Sequence, residues 1–173
     1  KLAGPLGVSA LLHPEGSYDD PKGGVFREAI YPRLCKHFRF TNVRKLFPEI
    51  LHWISYSVNI YGPVKSQVEF ESMANVFDPI TIERSYEHDG IGNVGGIKDE
   101  WGQWNLGGNA SRILIVKDTD LQGYAKLYDE PGITSRAARL PALHAKALNS
   151  VVVKISDYPV RLGDLGDEVF TTP

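Results

Sequence analysis

Apolar and polar positions alternate with two different periods along this chain, and the elements follow from where one period gives way to the other. Gly7 to His13 is a short apolar run between Gly-Pro signals and Pro14, which predicts a buried strand. Residues 14–24 are dense in turn formers and predict a loop. From Val25 to His37 the apolar residues Phe26, Ala29, Ile30, Leu34 and Phe38 recur three to four apart, as one stripe of a helix that Pro32 should kink or restart. Alternation then returns over Phe38–Val43 and, more cleanly, over Ile54–Tyr61. In the second strand Ile54, Tyr56, Val58 and Ile60 would face one side, and Ser55, Ser57, Asn59 and Tyr61 the other. Gly62-Pro63 ends it, and a shift in composition there sets the main expected boundary, between residues 1–62 and residues 63–173.

Beyond Gly62 the pattern predicts a strand over Gln67–Glu71 and a short helix over Pro79–Tyr86. Residues 88–109 hold seven glycines together with Trp101 and Trp104, so they read as a long irregular loop or a set of tight turns. Ile113–Lys117 is a further strand. Asp118 and Thr119 can cap a helix from Asp120 to Tyr128, which Pro131-Gly132 terminates. A long helix is expected from Leu140 to Ile155, with Leu140, Leu143, Ala147, Leu148, Val151, Val152 and Ile155 on a broad apolar face. Leu162, Leu165, Val169 and Phe170 follow without a pattern. No internal repeat is present. Strands and helices that alternate in this way place the chain in the α/β class.

Composition narrows the picture in three places. No run of about 18 apolar residues could span a bilayer and the first residues lack the layout of a signal peptide, so the expected location is cytoplasmic, with no membrane contact. The only methionine, Met73, is internal, which fits a piece of a longer chain. Cys35 stands alone, so it forms no internal disulfide or multi-cysteine metal site and is expected as a half-buried helix residue. The formal charge of −2 conceals an asymmetry, because residues 1–62 carry eight Lys/Arg against five Asp/Glu and the remainder carries eleven against sixteen. Arg33, Lys36, Arg39, Arg44 and Lys45 follow one another with no acid among them, as do Arg136, Arg139, Lys146 and Lys154. Such stretches either track a phosphate backbone or form solvated helix faces.

Several motifs fail on context. Gly90-Ile91-Gly92-Asn93-Val94-Gly95 has the dinucleotide-binding spacing, yet Glu87-His88-Asp89 precedes it where an apolar strand should stand, and Gly96-Ile97-Lys98-Asp99 follows where a helix should begin. A flexible or DNA-facing loop fits better. Its two tryptophans could stack on bases or pin the loop to its own domain. None of His13, His37, His52, His88 and His144 has metal-ligand spacing, and no Gly-x-Ser-x-Gly elbow offers a nucleophile. Hydrolase chemistry therefore has no specific support, and no metal is expected.

Three pieces in order carry a family resemblance. The first is Gly7-Val-Ser-Ala-Leu-Leu-His-Pro14-Glu-Gly16 with Tyr18-Asp19-Asp20-Pro21-Lys22-Gly23 after it. The second is Phe26-Arg27-Glu28-Ala29-Ile30, and the third is the stretch from Phe38 through Phe47-Pro48 to Ile54–Gly62. Together residues 7–62 resemble the last motifs of the adenine-specific amino-methyltransferases of restriction-modification systems, particularly the large fused type. Residues 63–173, including Val94–Asp99 and the Leu121–Glu130 helix, resemble the stretch that follows in some large members. The resemblance implies the C-terminal part of a Rossmann-like methyltransferase sheet, its last three strands and one helix with an antiparallel final strand. A mixed α+β region for target recognition or linking would follow.

The parent enzyme would transfer a methyl group from S-adenosylmethionine to adenine in double-stranded DNA, alone or together with an endonuclease domain or subunit. The family's glycine-rich cofactor turn and its Asn-Pro-Pro-Tyr motif are both missing from this chain. It should therefore hold no catalytic residue and bind no S-adenosylmethionine by itself, and it would need an upstream half of the domain. In that family an aromatic residue before the closing strand packs on the extruded adenine, and Phe47 matches the position; a role as core anchor is the alternative. Arg44 and Lys45, with Arg39 and Lys36, could grip phosphates around the flipped base, or be solvated charge. A rival reading is a stand-alone DNA- or protein-interaction module without methyl chemistry, and a third is a remnant of a small-molecule methyltransferase.

Overall fold

The stripe that starts at Val25 does not run through to His37 as one helix, and Pro32 is the reason. In a computed structural model, which describes Gly4, residues 6–160 and Gly166, a helix spans Gly24–Ile30 and a 3-10 turn spans Tyr31–Arg33. A strand then begins at Leu34 and runs to Thr41. Proline has no backbone donor to continue a helical ladder. Leu34 and Phe38 accordingly belong to a strand. A register shift between Leu34 and Lys36 turns Leu34 toward one face of the sheet and Phe38 toward the other.

In chain order the elements are β1 (Ser9–Pro14), α1 (Gly16–Asp19), α2 (Gly24–Ile30), β2 (Leu34–Thr41), β3 (Ser55–Tyr61), β4 (Glu69–Val76), α3 (Ile80–Glu87), β5 (Leu114–Lys117), α4 (Asp118–Tyr128) and α5 (Lys146–Ser156), with 3-10 turns between some of them. The strands form one mixed sheet in the order β1-β3-β2-β4-β5. β3 lies antiparallel between β1 and β2, β4 is parallel to β2, and β5 is antiparallel to β4. The sheet crosses Gly62 without a break, since β4 and β5 extend what β1 to β3 begin.

Each face of the sheet has its own core. On one, Tyr18, Tyr31, Leu34, Phe70, Val116 and Leu121 pack with Tyr124, Ala138 and Leu140 beneath α1, α2 and α4. On the other, Phe38, Phe40, Tyr56, Met73, Val76 and Ile113 pack against Val58 and against Ile82 of α3. Tertiary packing of this kind, more than local propensity, holds helices as short as α1 and α2. Among the described residues no helix is long and apolar enough to cross a membrane.

Five further expectations are corrected. β1 is an exposed edge strand instead of a buried one, with Leu11 and Leu12 each 54 % exposed. The turn formers of residues 14–24 fold into α1 and a 3-10 turn at Pro21–Gly23, with Tyr18 wholly buried between them and the sheet. Cys35 is half-buried on β2, not on a helix. The last helix starts at Lys146, six residues later than expected, after an irregular stretch that contains Pro141. On it Val152 packs inward, while Leu148, Val151 and Ile155 stay exposed. α4 begins at Asp118, where Asp120 accepts the Lys117 N–H (2.9 Å) and Asp118 instead accepts the Val68 N–H (2.8 Å). Leu162, Leu165, Val169 and Phe170 lie outside the described residues.

Candidate functional site

β1 and β2 run the same way, and their carboxyl ends flank the start of β3, where Pro14 pairs with Tyr56 and Thr41 with Ser55. In open α/β sheets ligands bind beyond the carboxyl ends of strands. Here that edge carries a half-open apolar cleft of about 220 Å³, walled by Leu12, Pro14, Phe47, Ile50, Ile54 and Tyr56 with Ser55 at its margin. Phe47 is 38 % exposed. Its ring meets Tyr56 edge-on at 5.0 Å, and Tyr56 is stacked in turn on Phe40 at 5.3 Å. Phe47 therefore has a packed backing and an open side. The cleft is smaller than the roughly 300–1,000 Å³ of most ligand pockets.

The four cations expected around Phe47 do not gather at one surface. Lys36 bonds Glu71 (2.6 Å) and Tyr86 (2.7 Å) and lies over the Tyr86 ring on the α3 face. Arg39 projects from the other face, where it makes a two-pronged bond to Asp19 (3.0 and 2.9 Å) and approaches Glu15 at 3.8 Å. Arg44 pairs with Asp78 at 3.3 Å. Lys45 is exposed in the left-handed conformation (φ 54°) and has no ion pair among the described residues. Arg44 and Lys45 directly precede Leu46-Phe47 in the chain, and neither lines the cleft.

Behind the cleft, under α1, the polar side of β3 is buried in a hydrogen-bonded cluster. The Tyr18 hydroxyl donates to Asn59 Oδ1 (2.7 Å) and meets the Tyr61 hydroxyl (3.1 Å), which also contacts His13 Nε2 (3.1 Å). Beside it His37 bridges Ser72 Oγ (3.2 Å) and Glu15 Oε1 (3.0 Å). Serine, histidine and carboxylate in a row have the order of a nucleophilic relay, but Ser72 is buried on an inner strand under the helices, where no substrate reaches its oxygen. The row is structural.

Burial alone would push the Glu15 carboxyl upward; His37, and then Arg39, outweigh it and hold it below the ordinary value of 4.5. The folded state therefore binds this proton more weakly than the unfolded state does, and unfolding in acid takes one up. The stability Glu15 contributes is complete above about pH 4.5 and is lost as the pH falls through its depressed folded value. Urea midpoints of wild type and Glu15→Gln, measured between pH 3 and 7, should converge toward the acid end. A constant difference would mean that the carboxylate's charge is not what matters.

The glycine-rich stretch is built of turns. Helix α3 precedes it, no helix follows before the 3-10 turn at Ala110–Arg112, and Gly90, Gly92 and Gly95 all have positive φ, as tight turns demand. Its two tryptophans differ in their surroundings. Trp104 is pinned on Phe77 (4.7 Å) under the Lys98 ammonium, whereas Trp101 is 76 % exposed.

Sequence reading missed the aliphatic walls of the cleft, and it missed Asn42, which stood in it only as a strand residue. An Asn just past a strand, before Arg-Lys, is the sort of turn-forming signal that could have found it. No family model, curated protein or solved structure matches this chain.

Proposed function

We propose that this chain is the closing part of the catalytic domain of an S-adenosylmethionine-dependent DNA adenine methyltransferase, and that Phe47 supplies the stacking surface for the extruded base. The observation that carries the reading is the cleft. A half-exposed aromatic ring, backed by Tyr56, walls a small apolar recess at the carboxyl ends of two parallel strands, and Arg44 and Lys45 precede that ring in the chain. An enzyme that turns a base out of a duplex must replace its lost stacking, worth about 1–3 kcal/mol per base. A ring with one packed and one open side does this without reorganising. The antiparallel insertion of β3 between β1 and β2 supports the same reading, because a closing strand of that kind is what the resemblance implies.

The cofactor and catalytic motifs belong to the upstream half that this reading requires, so the test uses the complete protein. Phe47→Ala should lower adenine methylation by about 10- to 100-fold, the equivalent of one lost stack. A 2-aminopurine placed at the target should lose the emission change that marks its extrusion. Unaltered methylation by a folded Phe47→Ala protein would rule the reading out. A scaffold module, the rival, predicts lost stability or no effect at all. The exposure of Trp101 gives that rival its one specific support, as an aromatic free to meet a partner.

A further inference from the structure

Every polar group of Asn42 is engaged with the loop that carries Phe47. Its backbone N–H donates to Ile54 O (3.0 Å), joining the two ends of the loop, and its carbonyl accepts from the Lys45 N–H (2.7 Å). The side-chain Nδ2 donates to Phe47 O and to Ile50 O, each at 2.8 Å, and Oδ1 accepts the Phe47 N–H at 3.1 Å. Both backbone groups of Phe47 are therefore held by one side chain, which is itself wholly buried. Among the described residues the loop's other hydrogen bonds are two short backbone turns, Ile50 N–H to Phe47 O and Ile54 N–H to Leu51 O, both 3.1 Å. Leu46, Ile50, Leu51 and Trp53 around them are exposed and give the loop little packing.

We propose that Asn42 is a positioning residue for base stacking, a role that rests on the function proposed above. The chemistry of the position is demanding. It needs two donors and one acceptor at the end of a short side chain, and only asparagine offers them at that reach. Aspartate has the same shape but turns an oxygen toward two carbonyls, so the loop must move away. A ring displaced by about 1 Å from its stacking place can cost roughly 100-fold in rate.

The experiment is a double-mutant cycle on the complete protein, with kcat and KM for duplex methylation and the emission of a 2-aminopurine target as readouts. Asn42→Asp and Phe47→Ala should each lower kcat about 10- to 100-fold with little change in KM, and the double variant should be no worse than the poorer single one, because Asn42 acts through Phe47. Asn42→Ser, which keeps one donor, should fall between wild type and Asn42→Asp, and it decides the matter if the Asp variant does not fold. A normal kcat for folded Phe47→Ala overturns the base-stacking reading and this proposal with it. A reduced kcat for Phe47→Ala beside a normal kcat for the folded Asn42 variants, or losses that multiply in the double variant, overturns this proposal alone.

Discussion

Replacing Arg27 by methionine is expected to cost the fold about 3–4 kcal/mol, since buried carbonyls left without a donor cost roughly 1–3 kcal/mol each. Arg27 is fully buried on α2, and its guanidinium donates to Ala137 O (2.8 Å), Ser17 O (3.1 Å) and Asp20 O (2.7 Å). Of these, Asp20 keeps a second donor in the Gly23 N–H, so most of the cost falls on the other two. The effect is large against a typical domain stability of about 5–15 kcal/mol. The fork ties α1 and α2 to the turn at Ala137, 110 residues away, and Tyr31, whose hydroxyl donates to Ala138 O (2.8 Å), extends the same seam. Arg27→Lys should recover little, because an ammonium is a point charge and cannot reproduce the spread of a planar guanidinium. Urea unfolding monitored by tyrosine fluorescence measures the difference; a loss under about 1 kcal/mol, within reach of a single hydrogen bond, would remove Arg27 from this role.

Gly108→Ala should be comparably damaging, at about 3 kcal/mol or more, beyond ordinary overpacking because the obstacle is backbone. A Cβ at Gly108 would lie 2.3 Å from the Arg84 carbonyl carbon and 2.5 Å from the Ser85 nitrogen of α3. Neither atom can rotate away, so the strap from Leu106 to Ala110 would have to lift off the helix. With it would go the bonds from the Asn109 N–H to Ser85 Oγ (3.2 Å) and from Thr81 Oγ1 to Leu106 O (3.3 Å), and the grip of buried Arg112 on Gly107 O (3.2 Å). Gly16→Ala is the control, because open space surrounds that position and its φ is not positive. It should be neutral or slightly stabilising. Thermal unfolding of the two variants side by side tests the contrast, and equal midpoints would show that the strap yields freely.

Arg27 and Gly108 also mark where a one-dimensional reading stops. Arg27 stood in the sequence only as part of the Phe26-Arg27-Glu28-Ala29-Ile30 helix piece, and its partner Ala137 lies 110 residues away. Gly108 was one glycine of seven, and only the path of the strap over α3 distinguishes it. By contrast β3 was legible almost to the residue, because strict alternation over Ile54–Tyr61 leaves one interpretation. Phe47 was legible as a candidate through its place in Leu-Phe-Pro before that strand. Asn42 was not, since its hydrogen-bond partners are settled by how the loop folds back.

The basic stretch shows the division most clearly. Period and punctuation in the chain determine by themselves that strands and helices alternate, that β3 has an apolar and a polar side, and that an aromatic ring precedes it between turns. They also determine that Lys36, Arg39, Arg44 and Lys45 form one acid-free run. Only the tertiary structure decided that the run is not one surface. On a helix residues three apart share a face, but on a strand they oppose each other, and Pro32 converts this segment from the first to the second. Lys36 and Arg39 thereby go to opposite sides of the sheet, each to an acid supplied by another element, while Arg44 pairs with Asp78 and Lys45 stays exposed.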